Sequence, residues 1–141
     1  MADSLPTQIQ LEVVTPDRQV VHESVDSVTV PGKRGYLGLL PGHAPLLSEL
    51  APGEIVYTRG GSKHYLAVSW GFAEVLASRV IVLAQTAERA EEIDLTRAQQ
   101  ALLRAEERLK KALDPAVDLK RAQEAYDKAL ARLQAARHTG N

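Results

Sequence analysis

Two periodicities divide this chain. Up to Ala87 the apolar residues come in short runs cut by glycine and proline, whereas beyond it they recur every three or four positions. The first pattern belongs to strands punctuated by turns, the second to amphipathic helices. The runs span 9–14, 27–30, 35–40, 54–58, 64–69, 73–76 and 79–83, rich in Val, Ile, Leu and Tyr. Their boundaries are Thr15-Pro16-Asp17, Pro31-Gly32, Pro52-Gly53, Gly60-Gly61 and Ser78. Turn signals at this density predict an antiparallel β-sandwich or barrel. Arg59-Gly60-Gly61-Ser62 predicts a hairpin turn, because two glycines accept the positive φ of primed turns. Ser69-Trp70-Gly71-Phe72 predicts a bend within a strand, with both aromatic rings packed beneath it.

Beyond Ala87, Asp94 offers an N-cap to a helix whose apolar stripe is Leu95, Ala98, Leu102, Ala105, Leu109 and Ala112. Asp114-Pro115 breaks it, since proline cannot continue a helix. Asp118 caps a second helix with the stripe Leu119, Ala122, Tyr126, Ala129, Leu133 and Ala136. So short a break predicts an antiparallel helical hairpin. The chain thus divides into a β-domain, 1–87, and a two-helix hairpin, 88–141. Half of each stripe is alanine, and a buried methylene stabilises by only about 0.8 kcal/mol. Two helices of this length are marginal alone, which predicts a hairpin able to detach or unfold.

Charge sharpens the division. Residues 1–87 hold 6 of the 17 basic and 8 of the 18 acidic residues, so charge density rises steeply in the last 54 residues. The net charge of -1 gives no footing for nucleic acid or an anionic membrane surface. The chain has no Cys, which excludes disulfides and thiolate metal sites and fits a reducing compartment. MADSLPTQ lacks the basic and apolar regions of a leader, and no run reaches the length of a membrane span. A soluble, cytoplasmic protein is expected, reaching a membrane only through a partner.

The segment from Pro31 to Leu47 carries four glycines, three prolines and five leucines in seventeen residues. It must turn repeatedly while presenting apolar side chains, so it predicts a shaped structural or docking loop. Pro41-Gly42 suits the centre of a type II turn. Gly32, Gly35 and Gly38 match neither GxGxxG nor the phosphate-loop pattern. His43, after Pro-Gly, predicts a local hydrogen bond. His22, His64 and His138 have no HxxxH or HxH partner, so no metal ligands are expected. No catalytic Ser/His/Asp set is visible. Glu106-Glu107 followed by Lys110-Lys111 supports a helix through i, i+4 pairs, and Arg97 and Arg104 share a helix face.

VVTPDRQV (13–20), LGLLPGHAPLL (37–47), SWGFAEV (69–75), VIVLAQTAERAEEID (80–94) and a hairpin opening Ile93-Asp94-Leu95-Thr96-Arg97-Ala98 occur in this order. Together they resemble the ε subunits of bacterial F-type ATP synthases over about residues 9–137. The resemblance implies a β-sandwich bound to the γ subunit and the c-ring, turning with the central stalk and coupling proton flow to ATP synthesis without bond chemistry of its own. It implies a peripheral place on the cytoplasmic face of the bacterial cell membrane. It makes Tyr36, Leu37, Gly42 and His43 candidate γ or c-ring contacts; Tyr36 stands where many relatives carry an acid.

The resemblance further implies that the hairpin is regulatory, rising along γ to inhibit hydrolysis by the α/β catalytic head. Lys120, Arg121, Lys128 and Arg132 are then candidate inhibitory contacts. In some relatives the folded hairpin binds regulatory Mg-ATP. Glu88, Ile93, Asp94, Arg97, Ala98, Arg104 and Arg132 match that pattern, while Lys128 replaces an Arg and exchanges a bidentate fork for a point charge. No cofactor is required by this reading. The alternative is a stand-alone binding or adaptor module with a coiled-coil docking hairpin; an enzyme in its own right comes third.

Overall fold

Alternation of large apolar and polar residues places one face of each strand inside, and the strands close on themselves through their longest member. The computed structural model describes residues 5–139. Residues 1–4, which open the stretch read above for a leader, and Gly140 and Asn141 of the hairpin domain lie outside the described residues. Eight strands come first: β1 (Ile9–Val14), β2 (Gln19–Val25), β3 (Ser27–Gly32), β4 (Gly35–Leu39), β5 (Leu46–Leu50), β6 (Gly53–Arg59), β7 (Ser62–Val75) and β8 (Arg79–Arg89). They join in the order β2-β1-β8-β7-β5-β3-β4, with β6 bridging β3 and β7. All pairs are antiparallel except β1 with β8, which runs parallel from Gln10↔Arg79 to Val14↔Leu83. Leu11, Val13, Val28, Val30, Leu39, Ile55, Leu66, Val80 and Val82 fill the interior.

β7 is the hinge of the architecture. Its first half pairs with β6, from Arg59↔Ser62 to Gly53↔Val68, and its second half pairs with β5, from Leu50↔Gly71 to Leu46↔Val75. The change of partner falls at Trp70, with φ +43, and Gly71, with φ +153. A Cβ on Gly71 would stand 1.9 Å from the Leu83 carbonyl oxygen, so only glycine lets β7 pass β8 there. The predicted bend is present, but its aromatics do not lie beneath it. Phe72 is half-exposed and Trp70 is only partly covered, because the bend turns both rings toward an open groove.

The sequence pattern split β7 into 64–69 and 73–76, since glycine at a strand bend reads as a break. It omitted β2, whose His22, Glu23 and Ser24 interrupt the apolar run, and β5, hidden in the loop-like 41–50. β8 continues past Ala87 to Arg89, through the alternation Gln85-Thr86-Ala87-Glu88. Both glycine turns form: Gly60 and Gly61 have φ of +57 and +83, and Gly42 has φ +89 with the His43 N–H donating to the Leu40 carbonyl at 3.2 Å.

A short 3-10 turn, Ala90–Glu92, leads into α1 (Leu95–Lys110) and α2 (Leu119–Ala136). Asp94 and Asp118 cap them, each accepting at 3.1 Å from the backbone N–H three residues on. α1 ends before Ala112, which is exposed, because the chain already unwinds toward Asp114-Pro115. α2 has two buried faces. Ala122, Ala129, Leu133 and Ala136 follow the predicted stripe, while Ala131 and Ala135 lie on the opposite side, where Ala135 packs against Ala67 and Ala90. The second helix therefore rests on β6 and β7, and α1 packs chiefly on α2.

Two outcomes are expected. Gly71→Ala should cost about 3 kcal/mol of stability or prevent folding, through positive φ and the backbone clash, as read by denaturant unfolding; an unchanged midpoint would contradict the close approach. Amide hydrogen exchange should be slowest in β6–β8, faster in α2 and fastest in α1, by about tenfold or more from strands to α1. Helices as slow as the strands would contradict the detachable hairpin.

Candidate functional site

Three surface features follow from this arrangement. The first lies along β4 and β5. The turn at Pro41-Gly42 is fastened to the β7–β8 turn by the Gly42 N–H donating to the Ala77 carbonyl at 2.7 Å. Leu40, Leu46, Leu47 and Leu76 are exposed around it. His43 makes the predicted local contact, its Nδ1 lying 2.7 Å from the Ala44 carbonyl oxygen. Leu37 turns inward against the core. Tyr36 sits toward the other end of β4, paired with Pro31, and its hydroxyl accepts from the Glu54 N–H at 3.1 Å. Gly42 and His43 thus share one end of the sandwich, while Tyr36 stands apart along the same edge strand. A depression of about 810 Å³ lies between Tyr36 and Leu47 and is not lined by Gly42 or His43.

The second feature is a groove of about 1060 Å³ lined by Leu50, Pro52, Trp70, Phe72 and Leu83, with Lys120 and Glu124 of α2 on one wall. Phe72 and Leu83 are register partners on β7 and β8, and both are half-exposed. No sequence argument singled out this pair, although an exposed Phe beside a strand glycine is the signal that could have. A cross-strand apolar pair left facing water marks a contact surface more often than a lone exposed leucine does.

The third feature is a polar pocket of about 400 Å³ where the hairpin meets the sandwich. It gathers Glu88, Arg97, Lys128 and Arg132 from the predicted set, and adds Thr15, Asp17 and Arg18 from the β1–β2 turn. Arg132 Nη2 donates to one Glu88 carboxylate oxygen at 3.4 Å, and its Nε lies 2.8 Å from the other, an ion pair joining α2 to β8. The other predicted residues do not line the pocket. Ile93 packs beside Ala90 and Ala135, Asp94 caps α1, and Ala98 is buried between the helices. Arg104, two turns beyond Arg97 on α1, is exposed and lies past the pocket's reach. Lys120 lines the apolar groove and Arg121 is exposed at the start of α2.

Two further contacts anchor the junction. Arg89 donates to the Tyr57 hydroxyl at 3.1 Å and lies 3.4 Å from Glu23. Burial pushes the Tyr57 hydroxyl above its ordinary value, so it stays a neutral acceptor for the guanidinium. At the end of α2, the His138 ring stacks on Tyr65 at 3.6 Å, and its Nε2 lies 3.0 Å from Glu54. Among the described residues, no group of three His, Asp or Glu side chains converges as a metal site, and no helix is long and apolar enough to cross a membrane.

Comparison with known proteins gives this geometry its family. The profile of the ATP synthase delta/epsilon chain beta-sandwich domain matches residues 8–90, and that of the delta/epsilon long alpha-helix domain matches residues 91–137. The chain is 56% identical over 109 residues to the ATP synthase epsilon chain of Koribacter versatilis, covering 77% of this chain and 74% of that one. It is 50% identical over 134 residues to that of Solibacter usitatus, covering 94% and 98%. Its fold superposes on a chain in the cryo-EM structure of the Euglena gracilis mitochondrial ATP synthase with a TM-score of 0.82 at 30% identity, covering 98% and 86%. A chain in the central stalk and c-ring structure from Tetrahymena thermophila, at 12% identity and a TM-score of 0.58, shares the fold alone. With both domain profiles matched end to end, and near-complete overlap with epsilon chains, the protein belongs to the delta/epsilon chain family of ATP synthases.

Proposed function

We propose that this chain is the non-catalytic ε subunit of a bacterial F-type ATP synthase, a central-stalk subunit that couples proton flow to ATP synthesis. The sandwich, residues 5–89, binds γ and the c-ring, and the hairpin from about Ala90 onward regulates hydrolysis in the α/β catalytic head. The enzyme then holds it peripherally at the cytoplasmic face of the cell membrane, with its membrane contact made through the c-ring. The observation that carries this reading is the seating of the hairpin, whose fully buried contacts with the sandwich are alanines, with Tyr65, Ile93 and His138 packed only at their margin. Such a seam permits docked and extended states that differ by only a few kcal/mol.

The exposed leucines at the Pro41-Gly42 turn, with Gly42 and His43, form the c-ring face. Tyr36 serves mainly to brace β4 on β6, since its hydroxyl is already engaged by Glu54. The Phe72–Leu83 groove is the surface for γ, being the larger apolar concavity. Lys120, Arg121, Lys128 and Arg132 reach the acidic head only in the extended state. In the docked state Lys128 and Arg132 instead line the polar pocket, which takes regulatory Mg-ATP. Its cations outnumber its acids and come from both domains, so a polyanion bound there ties the hairpin down. Lys128 in place of Arg weakens that binding.

Removing the chain after Glu92 in the assembled enzyme should leave assembly and coupled synthesis intact and raise ATP hydrolysis by about twofold or more. Unchanged hydrolysis would remove the inhibitory role. Calorimetric titration of the full chain with Mg-ATP should saturate, with a Kd of about 0.1–1 mM; absence of saturation to several times that range would remove the nucleotide from this reading.

A further inference from the structure

The polar pocket contains a cation that comes from neither helix. Arg18 ends the β1–β2 turn and lines the cavity together with Arg97, Lys128 and Arg132. We infer that Arg18 is the sandwich-side phosphate ligand of this pocket, binding the polyphosphate chain of a nucleotide from the face opposite the hairpin. The inference rests on the nucleotide reading given above.

Three observations support the assignment. The turn holding Arg18 is tightly built: the Thr15 N–H donates to the Arg18 carbonyl at 2.9 Å, and the Thr15 hydroxyl accepts from the N–H groups of Asp17 and Arg18 at 3.3 and 3.2 Å. The base of the side chain is therefore fixed to the rigid β-domain while its guanidinium stays free to swing. That guanidinium now pairs with Glu92 at 2.8 Å, and both side chains are nearly half-exposed, 48% and 40%. An exposed pair of this kind contributes little, so a phosphate competes with the carboxylate on easy terms. Finally, Arg132 is already paired with Glu88. Of the pocket's remaining cations, Lys128 offers a point charge, leaving Arg97 and Arg18 as the planar forks suited to phosphate oxygens.

The consequence is mechanical. Arg97 and Lys128 ride on the hairpin, whereas Arg18 belongs to the sandwich. A polyphosphate gripped from both sides cross-links the two domains, and Glu92, on the 3-10 turn between them, holds Arg18 in readiness until the ligand arrives. Arg18 also supplies the guanidinium that the Arg-to-Lys exchange at position 128 removes.

The test uses the full chain and two probes, Mg-ATP and inorganic tripolyphosphate, each titrated calorimetrically into wild type, Arg18→Ala, Arg18→Lys and Glu92→Gln. Arg18→Ala should weaken both ligands by about tenfold and Arg18→Lys by about threefold, because a charge without the fork restores part of the contact. Glu92→Gln should bind as tightly as wild type or up to about threefold more tightly, by releasing the competing carboxylate. Unchanged exchange in β6–β8 establishes that the variants are folded. Wild-type binding that Arg18→Ala leaves intact, or a loss confined to Mg-ATP with tripolyphosphate unaffected, overturns the assignment and leaves the nucleotide reading standing. Failure of the wild type to bind Mg-ATP overturns both.

Discussion

The contact between α2 and the sandwich governs what this molecule can do. α2 must satisfy two neighbours at once, α1 on one side and β6 with β7 on the other, and it does so with alanine on both faces. Alanine allows close approach and offers only one methyl to bury, about 0.8 kcal/mol in transfer terms. The seam is thus geometrically tight and energetically thin. Contacts beside it add direction: Arg132 with Glu88 in the last turns of α2, and His138 with Glu54 and Tyr65 just beyond them. Their side chains remain partly exposed although Arg132 Nε and Glu54 Oε2 are themselves buried.

Against that thin seam stands a β-domain that is closed and stiff. One strand, β7, pairs with β8 from Leu66 to Val75 and changes from β6 to β5 at Gly71, which ties the β6 and β5 parts of the sandwich together. The same bend faces Trp70 and Phe72 toward the groove, and the same strand ends beside the turn that carries Gly42 and His43. The rotor role proposed above uses this asymmetry: a foot that transmits torque without yielding and an arm that leaves its seat at small cost.

Much of this was legible in the sequence, and the failures have physical causes. The helix caps Asp94 and Asp118, the Gly60-Gly61 hairpin and the Pro41-Gly42 turn follow from local chemistry, which short windows report well. β5 was hidden because Leu46-Leu47-Ser48-Glu49 does not alternate, and β2 because polar residues occupy its centre. The parallel pairing of β1 with β8 joins residues almost seventy positions apart, beyond any local pattern. Within the polar pocket, Glu88, Arg97, Lys128 and Arg132 were nameable only through the family resemblance, since their spacing alone describes a solvated helix face. Arg18 escaped because a turn arginine has no periodicity to betray it. The second buried face of α2 escaped because Ala131 and Ala135 lie off the single three-and-four-spaced stripe that marks the α1 contact.

In the role proposed above, the hairpin undergoes an exchange between a seated and a raised position on an unmoving sandwich. That exchange is tested most directly by the distance between a spin label on the exposed β6–β7 turn at Ser62 and one on exposed Gln123 of α2, measured in the assembled enzyme. Two distance populations are expected, with the shorter one gaining as Mg-ATP is added. A single short distance, unchanged with and without nucleotide, would contradict that exchange.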